Sequence, residues 1–491
     1  MKDRIFGMET EYGCLAPDRE GFISPDSISM KVKNFIFRPE HQHGILDIHY
    51  RGRDEPPGNG GFLFNAGRIY IDMGHIEYAT PECMGLFDLV ASDKAGERIF
   101  QNALRQLGLS GEAAFFKNNI DHFTGATFGC HENYLIRRNV PFSTLVIPAL
   151  LPFLVTRQIF CGAGRVGSYD DSFYYYSRDE REERERQDPI SFQISQRADH
   201  IVTETYQWIQ FSRAIINTRD EPLADHSKYR RLHLLAGDSN MSEYASALKV
   251  GTTALVLSLI ERKIFPKDVL LKDPVWALKQ ISRDPEFSWI VERHSGGTIS
   301  AIDVQRRYLE LAHKHLGDQD EESRWVLDAW ETTLDDLERD PMSLADRVDW
   351  VAKRYLLEAF REAENLSWDD PWLQSLDLEY HNIDIDRGLY YDLERRGTMQ
   401  RTLTDKQIAR AMETPPQDTR ARARAEVVRK LTEHQVHYIV DWDQIYLENE
   451  RTLNLRDPFD TYEQETAAFI ADMSPFGVWT RRGGGKGERD A

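Results

Sequence analysis

Apolar and polar positions alternate from the first residues of the chain. An apolar run over 5–8 leads into Glu9-Thr10-Glu11-Tyr12, and a strand there sends Glu9 and Glu11 to the same face. Residues 68–73, Arg-Ile-Tyr-Ile-Asp-Met, repeat with period two and predict a second strand. Tyr70 and Asp72 then share one face, and Ile69, Ile71 and Met73 take the other. The period changes to that of an amphipathic helix over 92–107, with Ser92 as N-cap, and again over 244–264. From about 303 to 361 the pattern is strongly helical and charged, with Trp325, Trp330 and Trp350 on buried faces.

The most apolar stretch, 142–155, is interrupted by Pro148 and Pro152 and closed by Arg157. It is too short to cross a bilayer and predicts buried core rather than membrane. Pro415-Pro416 marks a break. A basic helix over 419–431 and strands over 438–442 and 444–448 follow it. The expected layout is a catalytic domain over 1–412, a small C-terminal domain over 413–478 and a flexible glycine-rich tail over 479–491. The polar stretch 54–61 has the composition of a mobile loop, and the charge run within 174–189 that of a solvated insertion.

With 491 residues, 41% of them hydrophobic, the chain is long enough for a large core in one or two domains. A formal net charge of −20 excludes affinity built on a basic footprint, so nucleic acid is not an expected partner. It leaves room for a nucleotide, which needs only local arginines and a cation. The start of the chain shows no secretory signal. The four cysteines lie far apart without CxxC spacing, which points to a reducing, cytoplasmic location.

Five clusters carry candidate chemistry: Glu9 with Glu11; Arg68, Tyr70, Asp72, His75 and Glu77; residues 129–134, Gly-Cys-His-Glu-Asn-Tyr; residues 217–222, Asn-Thr-Arg-Asp-Glu-Pro; and residues 228–233, Lys-Tyr-Arg-Arg-Leu-His. Carboxylates gathered from several strands are hard oxygen ligands that suit magnesium, and arginines beside them hold phosphate or carboxylate. Taken singly, each has a bland reading as an ion pair, a core histidine or turn chemistry. No GxxxxGK[ST] loop occurs. The glycines at 162, 164 and 167 match a dinucleotide loop only in spacing, without a convincing helix behind them.

Together the clusters resemble the family that handles prokaryotic ubiquitin-like protein (Pup), comprising the Pup ligase and its sister, the Pup deamidase/depupylase. The resemblance rests on residues 7–13 (GMETEYG), 75–83 (HIEYATPEC), 130–135, 195–199 (SQRAD), 215–222, 228–240 and 415–442. It implies an α+β fold like that of glutamine synthetase, a large curved antiparallel sheet backed by helices, using ATP and Mg2+. It further implies that Glu9, Tyr70 and Glu77 bind magnesium, that Arg68, Thr80 and Trp442 contact ATP, and that Asp72 is catalytic. His131, Glu132 and Asn133 would complete the metal and phosphate site. Arg219, Arg230 and Arg231 would bind phosphate or the modifier's carboxylate. The implied partners are Pup, pupylated or target proteins and the proteasome pathway.

Between the sisters the features divide. Residues 237–243, Cys130 and 456–459 are closer to the ligase. The five-residue separation of Asp72 and Glu77, the segment 41–61, and residues 164–167, 338–342 and 364–368 are closer to the depupylase. Leu223 and Ile76 depart from both, where a histidine and a proline are usual. The reading favours the deamidase/depupylase, with the ligase as alternative. Outside both stand a nucleotide-binding regulator without activity and a small-molecule glutamate–amine ligase.

Overall fold

The computed structural model describes residues 3–16, 24–41, 43–51, 55–122, 125–167, 191–208, 213–317, 320–433, 437–448, 451–471 and 473. The charge run of 174–189 and the tail 479–491 lie outside them.

A ten-stranded, mostly antiparallel sheet dominates the α+β fold. Its strands are β1 (Phe6–Leu15), β2 (Gly44–Leu46), β3 (Gly60–Leu63), β4 (Arg68–Asp72), β5 (His75–Ala79), β6 (Ala114–Phe116) and β7 (Cys130–Arg137). A separate ribbon of β8 (Arg165–Val166) and β9 (Phe192–Gln193) follows, and then β10 (Thr203–Tyr206), β11 (Ala214–Asn217) and β12 (Tyr229–Leu234) return to the sheet. The order is β10-β11-β12-β7-β1-β5-β4-β3-β2, with β6 also on β1. Among the described pairs only β10–β11 is parallel.

Alternation decides what each face does. On β1, Phe6, Met8, Thr10 and Tyr12 are buried, while Gly7, Glu9 and Glu11 are half-buried on the opposite side. Phe6 and Met8 join Cys130, Tyr134, Ile136, Leu232 and Leu234 of β7 and β12 in one core with the helices 147–156, 243–261, 301–316 and 321–339. The sheet thus buries one face under helices and presents the other as a carboxylate-bearing floor.

The β4–β5 hairpin turns in two residues. Asp72 pairs with His75, and Met73 and Gly74 both have positive φ (45° and 95°), as the hairpin turn matching strand twist requires. Met73 is therefore turn rather than strand, and it is exposed.

The apolar stretch 142–155 forms a turn and the helix Ile147–Thr156, buried in the core as expected. The second helix runs Glu243–Glu261, capped by Ser242. The first starts earlier than predicted, at Leu86, which leaves Ser92 buried inside it. Its N-cap is Gly85, which makes no side-chain cap bond. Instead Glu322 Oε1 accepts the N–H groups of Leu86 and Phe87 at 2.8 and 3.3 Å. Gly164 and Gly167 flank the two-residue strand β8 rather than opening a dinucleotide loop.

Residues 421–431 are helical, and 438–440, 444–447 and 451–454 form a three-stranded sheet followed by the helix Glu463–Ala471. These elements share a core with Ile45 and Phe62 of the large sheet. Of the stretch read as a loop, the described residues 55–61 are tied into the sheet, with Gly60 and Gly61 opening β3 and Gly58 N–H donating to the Asp47 carbonyl at 2.7 Å. Arg68 holds Asp47 and Glu55 at 2.8 and 2.6 Å, Arg51 holds Asp47 and Asp441, and Tyr438 bonds the Leu46 carbonyl.

Candidate active site

Register places the predicted acids side by side. Glu9 is opposite Ala79 and His131, Glu11 opposite Glu77, Tyr70 opposite Glu77, and His233 opposite Asn133. Directly opposed residues share a face, so Glu9, Glu11, Tyr70, Asp72, Glu77, His131, Asn133, Arg231 and His233 all stand on the floor.

Two donor clusters result. Glu11, Asp72 and Glu77 bring carboxylate oxygens within 4.8 Å of one another, and Glu9, His131 and His233 do the same with one oxygen and two ring nitrogens. The all-carboxylate set matches the hard-oxygen preference of magnesium, and the mixed set suits a divalent ion shared with other ligands. Gly129 leaves room beside them. A Cβ there would fall 2.5 Å from His131 Nε2 and 2.7 Å from Glu11 Oε1.

The two clusters differ in electrostatics. Burial works to raise the Glu9 carboxyl, but the His131 hydrogen bond and the charges of His233, Arg231 and His131 hold it far below the usual range. Asn133 Nδ2 also donates to Glu9 Oε1 at 3.1 Å, and Arg231 lies 3.8 Å away. Glu77 is pushed well up by burial and by Glu11, Glu9 and Asp72, against the Tyr70 hydroxyl that donates to it. Burial and Glu11 raise Asp72 as well, with His131 and His75 opposing. Crowded acids of this kind take up a proton or a cation readily. Asp72, half-buried at the strand end, is placed to accept a proton or attack a carbonyl.

Beside Glu9 opens a cleft lined by Phe6, Thr80, Asn133, Leu223, Arg231 and Trp442 among others. Thr80 and Trp442, which the resemblance assigns to ATP, and Asn133 and Arg231, which it assigns to the metal, phosphate or carboxylate site, line this one cavity. Arg68 does not line it. Its guanidinium stacks 4.6 Å over Tyr70, and Asp47 and Glu55 occupy it. Arg219 is exposed at the margin and paired with Glu221 at 2.6 Å.

Two predicted ligands face the wrong way. Glu132 is fully buried on the helix side, where Arg157 Nη1 donates to it at 2.9 Å and Tyr134 at 2.7 Å. Period two puts it opposite to His131 and Asn133, so it cannot join either cluster. Arg230 likewise stacks 4.6 Å over Phe142 and pairs with Asp220 at 3.0 Å. Conversely Glu11 and His233, which stood in the candidate clusters but received no role from the resemblance, belong to the two donor sets. The alternation that groups Glu9 with Glu11, and Arg231 with His233, was the available signal.

The site is an acid-bearing sheet floor able to take a cation, beside a cleft whose lining mixes apolar residues with Glu82, Arg231 and Arg420. The chain belongs to the Pup ligase family: the profile of the Pup-ligase protein matches residues 4–446. It is 41% identical to a depupylase of Acidothermus cellulolyticus over 458 residues, covering 87% of this chain and 88% of that one. It is 39% identical to a Pup–protein ligase of a Nocardioides species over 488 residues, covering 96% and 100%. Its structure is similar to that of the ligase PafA in complex with Pup, with a TM-score of 0.80, 34% identity and coverage of 96% and 91%. It is also similar to that of PafA in complex with ADP, with a TM-score of 0.74, 34% identity and coverage of 94% and 97%. No helix among the described residues is long and apolar enough to cross a membrane.

Proposed function

We propose that this enzyme of the Pup pathway is a deamidase/depupylase that requires ATP and Mg2+. It hydrolyses the side-chain amide of a C-terminal glutamine of Pup, and the isopeptide bond between Pup and a target lysine. The observation carrying this reading is the two-residue β4–β5 turn. It fixes Asp72 across from His75, two positions along the ladder from the Tyr70–Glu77 pair, and so sets the five-residue spacing of Asp72 and Glu77. A ligase-like spacing of six would lengthen that loop and change where the carboxylate stands.

Glu11 and Glu77, with Glu9, His131 and His233, are the residues that would hold magnesium, beside an Asp72 left free for the chemical step. The bound ion supplies charge compensation to phosphate or acyl oxygens. Thr80, Trp442, Asn133 and Arg231 would hold the nucleotide, with Arg231 near its phosphates. Asp72 then takes a proton from the attacking water and returns it to the leaving ammonia or lysine amine, or it attacks the amide carbon itself, the amine leaving with a proton from water and a second water hydrolysing the aspartyl anhydride. The polar side chains of the ligase-like residues 237–243 are engaged in bonds to backbone and to neighbouring side chains. The Asp238 carboxylate caps the N–H groups of Ala163, Gln196 and Arg197, and Asn240 and Ser242 bind Asp349.

The second reading is a Pup–protein ligase, favoured by the end-to-end match to the Nocardioides enzyme. Incubation with ATP, Mg2+ and Pup ending in glutamine, read by intact mass, separates the two. Amide-to-acid conversion adds about one mass unit, as expected of hydrolysis. No conversion, together with lysine adducts when Pup ends in glutamate, would overturn the depupylase reading in favour of the ligase.

A further inference from the structure

Behind the cleft, a buried ion cluster ties together stretches of chain that are distant in sequence. Glu82, just beyond β5, accepts Arg420 Nε at 2.6 Å and Arg424 Nη1 at 3.1 Å, and its second oxygen accepts Arg424 Nη2. Arg424 is completely buried. Its guanidinium lies 4.7 Å over the Trp442 ring and 5.2 Å from that of Phe62, and it donates to the carbonyls of Trp442 at 3.0 Å and Ala66 at 3.2 Å. Arg420 Nη1 donates to the carbonyls of Leu223 at 2.7 Å and Leu455 at 2.9 Å. Thr419 donates to the Glu82 carbonyl at 3.0 Å. Glu82, Leu223, Arg420 and Trp442 all line the cleft.

A buried arginine–carboxylate cluster is a poor source of net stability, because desolvation offsets the attraction. Its planar fork is a good source of geometry. Here the fork fixes two cleft walls at once. Arg424 sets the Trp442 indole by stacking on it and by holding its backbone. Arg420 holds Leu223, whose backbone sits at φ 47°, a left-handed conformation unusual for leucine. Leu223 stands where the family usually has histidine, and it lines this cleft.

We infer that Glu82 and Arg424 are positioning residues for nucleotide binding, acting through Trp442 and through the Arg420–Leu223 wall rather than by touching the nucleotide. The inference rests on the cleft being the nucleotide site. Burial alone would raise the Glu82 carboxyl, but Arg424 and Arg420 hold it down to about 2, so the cluster is ionised at any working pH.

The test is a double-mutant cycle in the full chain, reading the dissociation constant of MgADP by calorimetry. Glu82→Gln and Arg424→Lys should each weaken ADP about tenfold and raise the KM for ATP, with kcat at saturating ATP within about twofold. In a Trp442→Ala background, Arg424→Lys should add less than about twofold. Wild-type ADP affinity in folded Glu82→Gln and Arg424→Lys would overturn the inference, as would a full additional tenfold loss without Trp442. If Arg424→Lys does not fold, Glu82→Gln, nearly isosteric, carries the same cycle. Absence of ADP binding in the wild type would instead remove the nucleotide reading itself.

Discussion

Replacing Glu132 by glutamine separates a structural acid from a ligand. The glutamine fills the same space but carries no charge, so it strands the Arg157 guanidinium, which is buried and hydrogen-bonded to both Glu132 oxygens. Breaking one partner out of a buried pair costs about 3–5 kcal/mol. Unfolding entropy of about 2.1 cal/mol/K per residue, taken over the whole chain unfolding as a unit, comes to about 1 kcal/mol/K. The melting temperature should therefore fall by about 3–5 °C. Because Glu132 faces the helices, MgADP affinity of the folded variant, measured below the transition by calorimetry, should stay within about twofold of wild type. Unchanged melting with lost nucleotide or metal binding would return Glu132 to the site and refute the face assignment.

Asp72→Asn should bind ATP and Pup nearly as wild type yet lose at least about a hundredfold in single-turnover rate, since the amide neither accepts a proton nor attacks; activity within a few fold of wild type would leave Asp72 structural. Glu77→Gln relieves three carboxylates crowded within 4.8 Å. It should raise the metal-free melting temperature while abolishing most of the stabilisation by added magnesium, and an undiminished magnesium shift would contradict the assignment. Glu97, held at about 2 against burial by Lys117, Lys94 and the Tyr391 hydroxyl, starts from an ordinary 4.5. Its depressed folded value contributes about 3 kcal/mol above pH 4.5 that is lost as pH falls toward 2. Glu97→Gln should therefore melt lower than wild type at pH 7 and converge with it near pH 2, and a constant gap between the two would count against the linkage.

The chain's own periodicities determined much of this protein. Period two over 5–12 and 68–72 placed Glu9, Glu11, Tyr70 and Asp72 on shared faces, because consecutive strand side chains must alternate. The burial of 142–155 followed from its composition and length. Tertiary structure decided what local pattern cannot carry. Whether a strand face is floor or core depends on which partner covers it, so Glu132 and Arg230, polar by type, turned inward once Arg157, Asp220 and Phe142 were in place. The helix start at Leu86 depended on a carboxylate 236 residues away, which satisfies the N–H groups of Leu86 and Phe87 and leaves Ser92, the expected N-cap, inside the helix. The described polar residues around Asp47 and Glu55 became fixed because Arg68, Tyr438 and Asp441 reach them and Arg51 from elsewhere. And His233 joined Glu9 only through register, since two strands distant in sequence meet across β7 and bring His233 Nε2 to 3.7 Å from Glu9 Oε2.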